Sequence, residues 1–95
     1  MNISLKGKQA VVCGSTQGIG RAIALELAHL GASVVLIARN EQSLMVLVNS
    51  LSMSDDQSHA YLVADFSNPS ELRAKVKAFL EAGNQPEILI NNTGG

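Results

Sequence analysis

The amino-acid sequence predicts an α/β fold in which a four-stranded parallel sheet carries helices on both of its faces. Three observations lead to this prediction. The chain has 95 residues, 46% of them apolar, which is enough for one domain around one hydrophobic core. Short apolar runs alternate with segments of helical periodicity. The runs themselves are continuously apolar, as expected for strands that are buried on both faces of a parallel sheet.

The first strand and the first helix flank a glycine-rich segment. Residues 9–13 form a short, partly β-branched apolar run that ends at Gly14, which predicts a buried strand. From Gly18 the period becomes helical, and Gly31 lies where a left-handed C-cap is expected. The apolar residues that recur at helical spacing here are Ile19, Ala22, Ile23, Leu27 and Leu30.

A second strand and a second helix follow directly. Residues 33–38 are continuously apolar, and Asn40 is positioned to cap a helix that runs to about Leu51. The residues predicted to face inward from this helix are Leu44, Leu47, Val48 and Leu51. Residues 52–58 are polar and are predicted to form a loop.

The third unit has the clearest boundary signal. Residues 59–65 predict a strand, and Asn68-Pro69-Ser70-Glu71 supplies an N-cap, a proline at the first helical position and a carboxylate at the third. The residues predicted to form the buried stripe of this helix are Leu72, Val76, Phe79 and Leu80. Gly83 then ends the helix, and residues 88–91 predict a fourth strand.

Composition narrows the classes of partner. The formal net charge is −1 and aromatic residues make up 3%, which disfavours nucleic acid. Cys13 is the only cysteine, so an intrachain disulfide and a cysteine-based zinc site are excluded, and neither His29 nor His59 has partners at metal-ligand spacing. There is no signal-peptide pattern and no run of about 18 apolar residues. We therefore expect a cytoplasmic protein whose partner is a small molecule or another copy of the chain, and not a membrane.

The segment Gly14-Ser15-Thr16-Gln17-Gly18-Ile19-Gly20 lies between the first strand and the first helix. Glycines here allow a sharp turn out of the sheet, close approach of backbone N–H groups to a pyrophosphate, and tight packing of the helix on the strand. The start of the helix adds unpaired N–H groups and a partial positive charge. The pattern predicts a dinucleotide site, with an ordinary tight turn as the alternative. A mononucleotide P-loop is disfavoured because no Lys-Ser or Lys-Thr follows Gly20.

Arg39 follows the second strand, at a point where NAD sites usually carry Asp or Glu to bind the adenosine ribose. A guanidinium at this point can pair with the additional 2′-phosphate of NADP, which a carboxylate would repel. The alternative is a solvated arginine beside a helix start, although a cation is slightly unfavourable there. We interpret Arg39 as selecting NADP.

Two further polar segments end predicted strands. Asp65 ends the third strand, where it either contacts an adenine amino group or serves as a turn or cap residue. Asn91-Asn92-Thr93-Gly94 ends the fourth strand, where asparagine amides either bridge neighbouring strand ends and contact a ribose or form a plain polar turn. The residues alone leave both pairs of alternatives open.

Taken together, these motifs resemble those of the short-chain dehydrogenase/reductases, and in particular the bacterial members that are similar to 3-oxoacyl-acyl-carrier-protein reductase. The resemblance covers the whole chain and implies the N-terminal half of such a domain, a partial Rossmann fold with strand order 3-2-1-4. The cofactor contacts that it implies are Gly14, Ser15, Thr16, Gln17, Gly18, Ile19, Gly20, Arg39, Asp65, Phe66, Asn92 and Gly94, with NADP as the cofactor. Cys13 departs from the threonine, and Thr93 from the alanine, that are usual in this family.

The resemblance also implies hydride transfer between NADP(H) and a carbonyl or alcohol. It places the catalytic serine and a Tyr-x-x-x-Lys pair beyond Gly95, so no catalytic residue is assigned and we expect this chain alone to be inactive. Tyr61 is no substitute, because Asp65 stands where the lysine is required. The alternative functions are a non-catalytic dinucleotide-binding module and, less well supported because of Arg39, an S-adenosylmethionine-binding domain. We also expect self-association, or association with a missing C-terminal half, through an unpaired strand edge.

Overall fold

The computed structural model describes residues 3–14 and 16–92. Within them, strands and helices alternate in the order β1 (Gln9–Gly14), α1 (Gly18–His29), β2 (Ser33–Ala38), α2 (Glu41–Ser50), β3 (Ala60–Val63), α3 (Pro69–Glu81) and β4 (Ile88–Asn92). The strands form one sheet in the order β3-β2-β1-β4, and each neighbouring pair is parallel. The predicted α/β fold and its strand order are confirmed.

The direction of each crossover determines which face a helix covers. From β1 to β3 the chain moves towards one edge of the sheet, and right-handed crossovers place α1 and α2 on the same face. The step from β3 to β4 runs the opposite way, which places α3 on the other face. The hydrophobic core is therefore divided into two clusters by the sheet.

The first core cluster lies between the sheet and the two helices α1 and α2. Its buried members are Ala10, Val12, Ala24, Ala28, Ala32, Val34, Leu36, Ala38, Leu44, Leu47 and Leu51. The second core cluster lies under α3, and its buried members are Val11, Val35, Ile37 and Ala64. Because side chains alternate along a strand, β2 contributes to both clusters, and Val34 through Ala38 are buried, as the continuous apolar run predicts.

The helix faces were predicted with unequal success. The inward stripe of α2 is confirmed, since Leu44, Leu47 and Leu51 are buried and Val48 is half-buried. Of the apolar residues at helical spacing in α1, Leu27 packs partly buried against the first core cluster, but the fully buried residues of the helix are Gly20, Ala24 and Ala28. Small side chains allow this helix to lie close to the sheet. The larger ones are left at its flanks, and Ile19 is 72% exposed.

The buried stripe predicted for α3 is wrong in part. Leu72 and Phe79 pack against the second core cluster, but no residue of α3 is fully buried and Leu80 is 48% exposed. Among the described residues, α3 is the only helix on its face, so it packs on the sheet but not against a second helix. The third strand is also shorter than predicted, because pairing with β2 is confined to Ala60–Val63 at the sheet edge, where Tyr61 is only half-buried.

Both glycine C-caps are confirmed. Gly31 has φ +107°, and the N–H groups of Gly31 and Ala32 donate to the carbonyls of Ala28 and Leu27, which is the Schellman pattern. Gly83 has φ +99°, and its N–H donates to the carbonyl of Leu80 at the end of α3.

The loop of residues 52–58 contains a buried amide that sequence reasoning missed. Gln57 is 7% exposed, and its Nε2 donates to the carbonyls of Ala28 (2.8 Å) and Ala32 (2.7 Å). Its Oε1 accepts from the Ser54 N–H at 2.8 Å. Gln57 therefore ties the loop to the end of α1 and to the start of β2.

His59 is held by two local hydrogen bonds. Its Nδ1 accepts from the N–H of Val34 at 3.0 Å, and its Nε2 lies 2.7 Å from the carbonyl of Ser52. Because Nδ1 is an acceptor, the ring proton belongs on Nε2, which then donates to that carbonyl.

Within residues 3–14 and 16–92, no helix combines the length and the apolarity that crossing a membrane requires.

Candidate nucleotide site

The carboxyl ends of all four strands meet at one edge of the sheet. Gly14 at the end of β1 is in register with Asn92 at the end of β4. On the other side of β1, Ala38 pairs with Val63, and the N–H of Ala64 donates to the carbonyl of Ala38 at 2.9 Å. Arg39 and Asp65 therefore emerge side by side. In open parallel sheets, this edge is where ligands bind.

The glycine-rich segment forms a bend between β1 and α1. Gly14 has φ +115° and Gly18 has φ +58°, values that residues with a side chain rarely adopt. A Cβ at Gly18 would meet no atom within 4 Å, so the backbone faces open space there. Gly20 is buried and brings α1 close to the sheet. Ser15 lies outside the described residues.

The three helices differ in whether the side chain of the N-cap residue caps the helix. Asn40 accepts from the Ser43 N–H at 2.9 Å and caps α2, and Asn68 accepts from the Glu71 N–H at 3.2 Å and caps α3. The N-cap position of α1 is Gln17, whose side chain makes no capping hydrogen bond, and the first turn contains no acidic residue. Within the described residues, the cap position of α1 therefore supplies no side chain that competes with an anion for the N–H groups at its start.

Arg39 is exposed at the end of β2. Among residues 3–14 and 16–92, its guanidinium forms no ion pair, but its charge reaches Asp65. The pKa of Asp65 is held below its ordinary value, first by the hydrogen bonds from the side chain and the backbone of Ser67 and then by Arg39. Arg39 thus leaves β2 next to the end of β1, with which β2 is paired, and its charge favours the ionised form of the Asp65 carboxyl.

Asp65 also serves as a turn residue. Its Oδ1 accepts from the Ser67 N–H at 2.9 Å and from the Ser67 hydroxyl at 2.7 Å, and its carbonyl accepts from the Asn68 N–H at 2.9 Å. Phe66 directs its ring to the second core cluster. Asn92 is half-buried opposite Gly14. Gly94 and Thr93 lie outside the described residues.

Two surface depressions adjoin these elements. A cleft of about 250 Å³ lies between the starts of α1 and α2, and we call it the α1–α2 cleft; its lining residues are Thr16, Gln17, Arg21, Gln42, Ser43, Val46 and Leu47. Arg21 was not singled out from the sequence, although a cation in the first turn of a helix that lacks acids there was a usable signal. A larger groove of about 750 Å³ runs along α3 on the opposite face, with a mostly apolar lining that includes Leu72, Val76 and Leu80.

The other reactive side chains lie away from this edge or are occupied. Cys13 is half-buried against the second core cluster, and burial raises the pKa of its thiol. Tyr61 donates its hydroxyl to Glu41 Oε2 at 3.1 Å. Partial burial, and then the hydrogen bond and the charge of Glu41, raise the pKa of Tyr61, so this phenol is not activated for proton transfer.

The chain is similar in sequence to known proteins. The chain is 40% identical over 88 residues to the inactive hydroxysteroid dehydrogenase-like protein 1 of Pongo abelii, an alignment that covers 93% of this chain and 26% of the relative. It is 37% identical over 92 residues to the 3-oxoacyl-acyl-carrier-protein reductase FabG of Pseudomonas aeruginosa, which covers 97% of this chain and 37% of the relative.

A solved structure gives the same result for the fold. The L-sorbose reductase of Gluconobacter frateurii, crystallised with NADPH and L-sorbose, superposes with a TM-score of 0.84 at 34% identity. That superposition covers 100% of this chain and 36% of the reductase, so the chain spans well under half the length of the relatives it matches. The sequence profile described as short chain dehydrogenase matches residues 8–95. The chain therefore belongs to the short-chain dehydrogenase family.

Proposed function

We propose that this chain forms the NADP(H)-binding part of a short-chain dehydrogenase/reductase that interconverts a carbonyl and an alcohol by hydride transfer. The observation that carries the proposal is the start of α1 after the bend at Gly14, where Gln17 makes no side-chain capping bond and the first turn contains no acid. The exposed cation Arg39 leaves the neighbouring strand β2, which is paired with β1. These residues fit a dinucleotide, because the bend leaves open space at Gly18 and no carboxylate directly follows β2.

Each group has a defined task in the proposed site. The N–H groups at the start of α1 bind the pyrophosphate, and the guanidinium of Arg39 pairs with the 2′-phosphate. Asp65 orients the adenine, Phe66 contributes backbone contact next to it, and Asn92 contacts the ribose on the β4 side, with Gly94 permitting close approach. When bound, the nicotinamide supplies the hydride. These 95 residues contain no Tyr-x-x-x-Lys pair, so none of them is assigned a role in proton transfer.

Calorimetric titration of the 95-residue chain with NADP⁺ and with NAD⁺ tests the cofactor. Arg39→Gln should weaken NADP⁺ binding by roughly 10- to 100-fold, the loss expected for a charged hydrogen-bonded contact, and should leave NAD⁺ binding nearly unchanged. Arg73→Gln removes an equal charge from exposed α3 and serves as the matched control. Equal losses for the two cofactors would remove the 2′-phosphate assignment, and no binding of either at millimolar concentration would end the proposal.

A second candidate function is a non-catalytic dinucleotide-binding module. It is favoured by one observation, which is that a relative with 40% identity carries the name inactive hydroxysteroid dehydrogenase-like protein 1. Both candidates bind NADP(H), so the cofactor titration does not separate them. Carbonyl reductase activity separates them, because oxidation of NADPH in the presence of a panel of small ketones would favour the enzyme, and binding of NADPH without oxidation across that panel would favour the module.

The proposal extends to partners and location. The apolar groove along α3, together with Leu80 (48% exposed) and Leu89 (69% exposed), provides a surface for a second copy of the chain. Sedimentation velocity across a concentration series tests self-association, and a monomer at all concentrations contradicts it.

A cytoplasmic location remains a prediction that a fluorescent fusion in the source cell would check.

A further inference from the structure

Arg21 lies on the side of α1 that faces α2, where it lines the α1–α2 cleft. The same cleft is lined by Thr16 and Gln17 from the bend, and by Gln42 and Ser43 from the first turn of α2. These five residues are polar, the remaining lining residues Val46 and Leu47 are apolar, and no carboxylate is among them. The cleft therefore presents a cation, amides and hydroxyls to the same volume of about 250 Å³.

The position of Arg21 on the helix determines where its side chain extends. Side chains of an α-helix lean towards its N-terminus, so Arg21 leans back over the turn that begins at Gln17. That direction leads to the sheet edge that carries Arg39. Since Gln42 follows Arg39 by three residues, the α1–α2 cleft opens next to the end of β2.

The charge of Arg21 is also uncompensated. In the part of the chain that the structure describes, Arg21 forms no ion pair, and the first turn of α1 contains no acid. A cation in the first turn opposes the helix dipole, so an anion near the guanidinium would stabilise this arrangement. The Ser43 N–H already donates to Asn40, so side chains rather than the start of α2 would hold that anion.

We propose that Arg21 is a second specificity-determining cation for the 2′-phosphate of NADP(H), which it approaches from α1 while Arg39 approaches from β2. This inference rests on the proposed function and adds to it a residue on a different element. The phosphate would lie at the mouth of the α1–α2 cleft, between two guanidinium groups. A purely structural role for Arg21 would be to cover Val46 with its aliphatic stem, and this role predicts no difference between the two cofactors.

The experiment measures the dissociation constants of NADP⁺ and NAD⁺ at fixed ionic strength for the wild-type 95-residue chain and for Arg21→Gln, Arg21→Lys, Arg39→Gln and Arg73→Gln. Because Arg21 is exposed, we expect Arg21→Gln to fold normally, which circular dichroism checks. Arg21→Gln should weaken NADP⁺ about three- to tenfold, at the low end of charged contacts, and NAD⁺ less than about twofold. Arg21→Lys should retain most of the affinity, and the control Arg73→Gln should change neither constant.

The outcomes separate this inference from the function on which it rests. If Arg39→Gln lowers NADP⁺ affinity selectively while Arg21→Gln behaves like Arg73→Gln, the role of Arg21 is refuted and the NADP site stands. Equal losses of NADP⁺ and NAD⁺ in Arg21→Gln also refute it, because they indicate a structural effect. If the wild-type chain binds neither cofactor, the proposed function and this inference both fail.

Discussion

The buried amide of Gln57 should contribute strongly to the stability of the fold. Gln57→Met keeps the length of the side chain but removes two hydrogen bonds to the carbonyls of Ala28 and Ala32 and one from the Ser54 N–H. The Ser54 hydroxyl, which lies 3.1 Å from Gln57 Oε1, keeps its 2.6 Å bond to Asp56. Each bond contributes about 1 kcal/mol net. Ala28 retains the Gly31 N–H as a donor, so its carbonyl stays satisfied. We expect the free energy of unfolding to fall by about 3 kcal/mol.

That loss is large for a chain of this size, whose total stability is roughly 5–14 kcal/mol. Equilibrium urea denaturation followed by circular dichroism measures it, with Gln85→Met as the matched control because Gln85 is exposed. A difference between the two variants of less than about 1 kcal/mol would refute the reasoning, since it would mean that water replaces the amide without cost.

Gln57→Glu extends the test with a nearly isosteric side chain. At neutral pH the new carboxylate would face two carbonyl oxygens, so this variant should be less stable than Gln57→Met. Burial would raise the folded-state pKa of the new carboxyl above its unfolded value. The stability regained by protonation is then fully present below the unfolded pKa and is lost as the pH rises through the folded one. An absence of recovery on acidification would contradict the geometry.

Three further predictions concern the caps and the turn at the nucleotide edge. Gly31→Ala should lower the free energy of unfolding by about 3 kcal/mol, because the backbone there has φ +107° and the new Cβ would lie 3.1 Å from the backbone N of Lys6. Gly83→Ala, at φ +99° and with no atom within 4 Å of the new Cβ, should lower it by only about 1–2 kcal/mol. Equal losses in thermal unfolding would contradict the contact with Lys6. Asn68→Ala should cost about 1 kcal/mol by removing the cap of α3, and Asn49→Ala on the exposed face of α2 should cost nothing in the same urea titration. Because the folded-state pKa of Asp65 is depressed, its contribution to the free energy of unfolding is present above the unfolded pKa and is lost as the pH falls through the folded one. The stability difference between the wild type and Asp65→Asn should therefore shrink below about pH 4. A constant difference down to about pH 2 would contradict this.

Much of the fold could be predicted from the sequence, because the patterns that predict its elements are local. The continuous apolar run of β2 predicted burial on both faces, Asn40 and Asn68 predicted the starts of two helices, and Gly31 predicted a left-handed cap. Each of these signals depends on a few adjacent residues and on backbone geometry, and neighbouring elements do not alter it.

The candidate site could be predicted from the sequence for a related reason. A parallel sheet brings the carboxyl ends of its strands to one edge, so residues that follow separate strands can be grouped from sequence order alone. Arg39 and Asp65 were grouped in this way, and the ladder between β2 and β3 places them next to each other. Arg21 was not grouped with them, because its place depends on how α1 packs beside α2.

The sequence by itself thus determined the order of elements, their caps and the glycine bend, since short-range sterics and hydrogen bonding decide these features. Only the tertiary structure decided which face of α1 is buried, that Leu80 remains exposed, and that Gln57 links a loop to two elements about 25 to 29 residues away in sequence. These features depend on the separation between packed layers and on which neighbours are present, and no local pattern encodes either quantity.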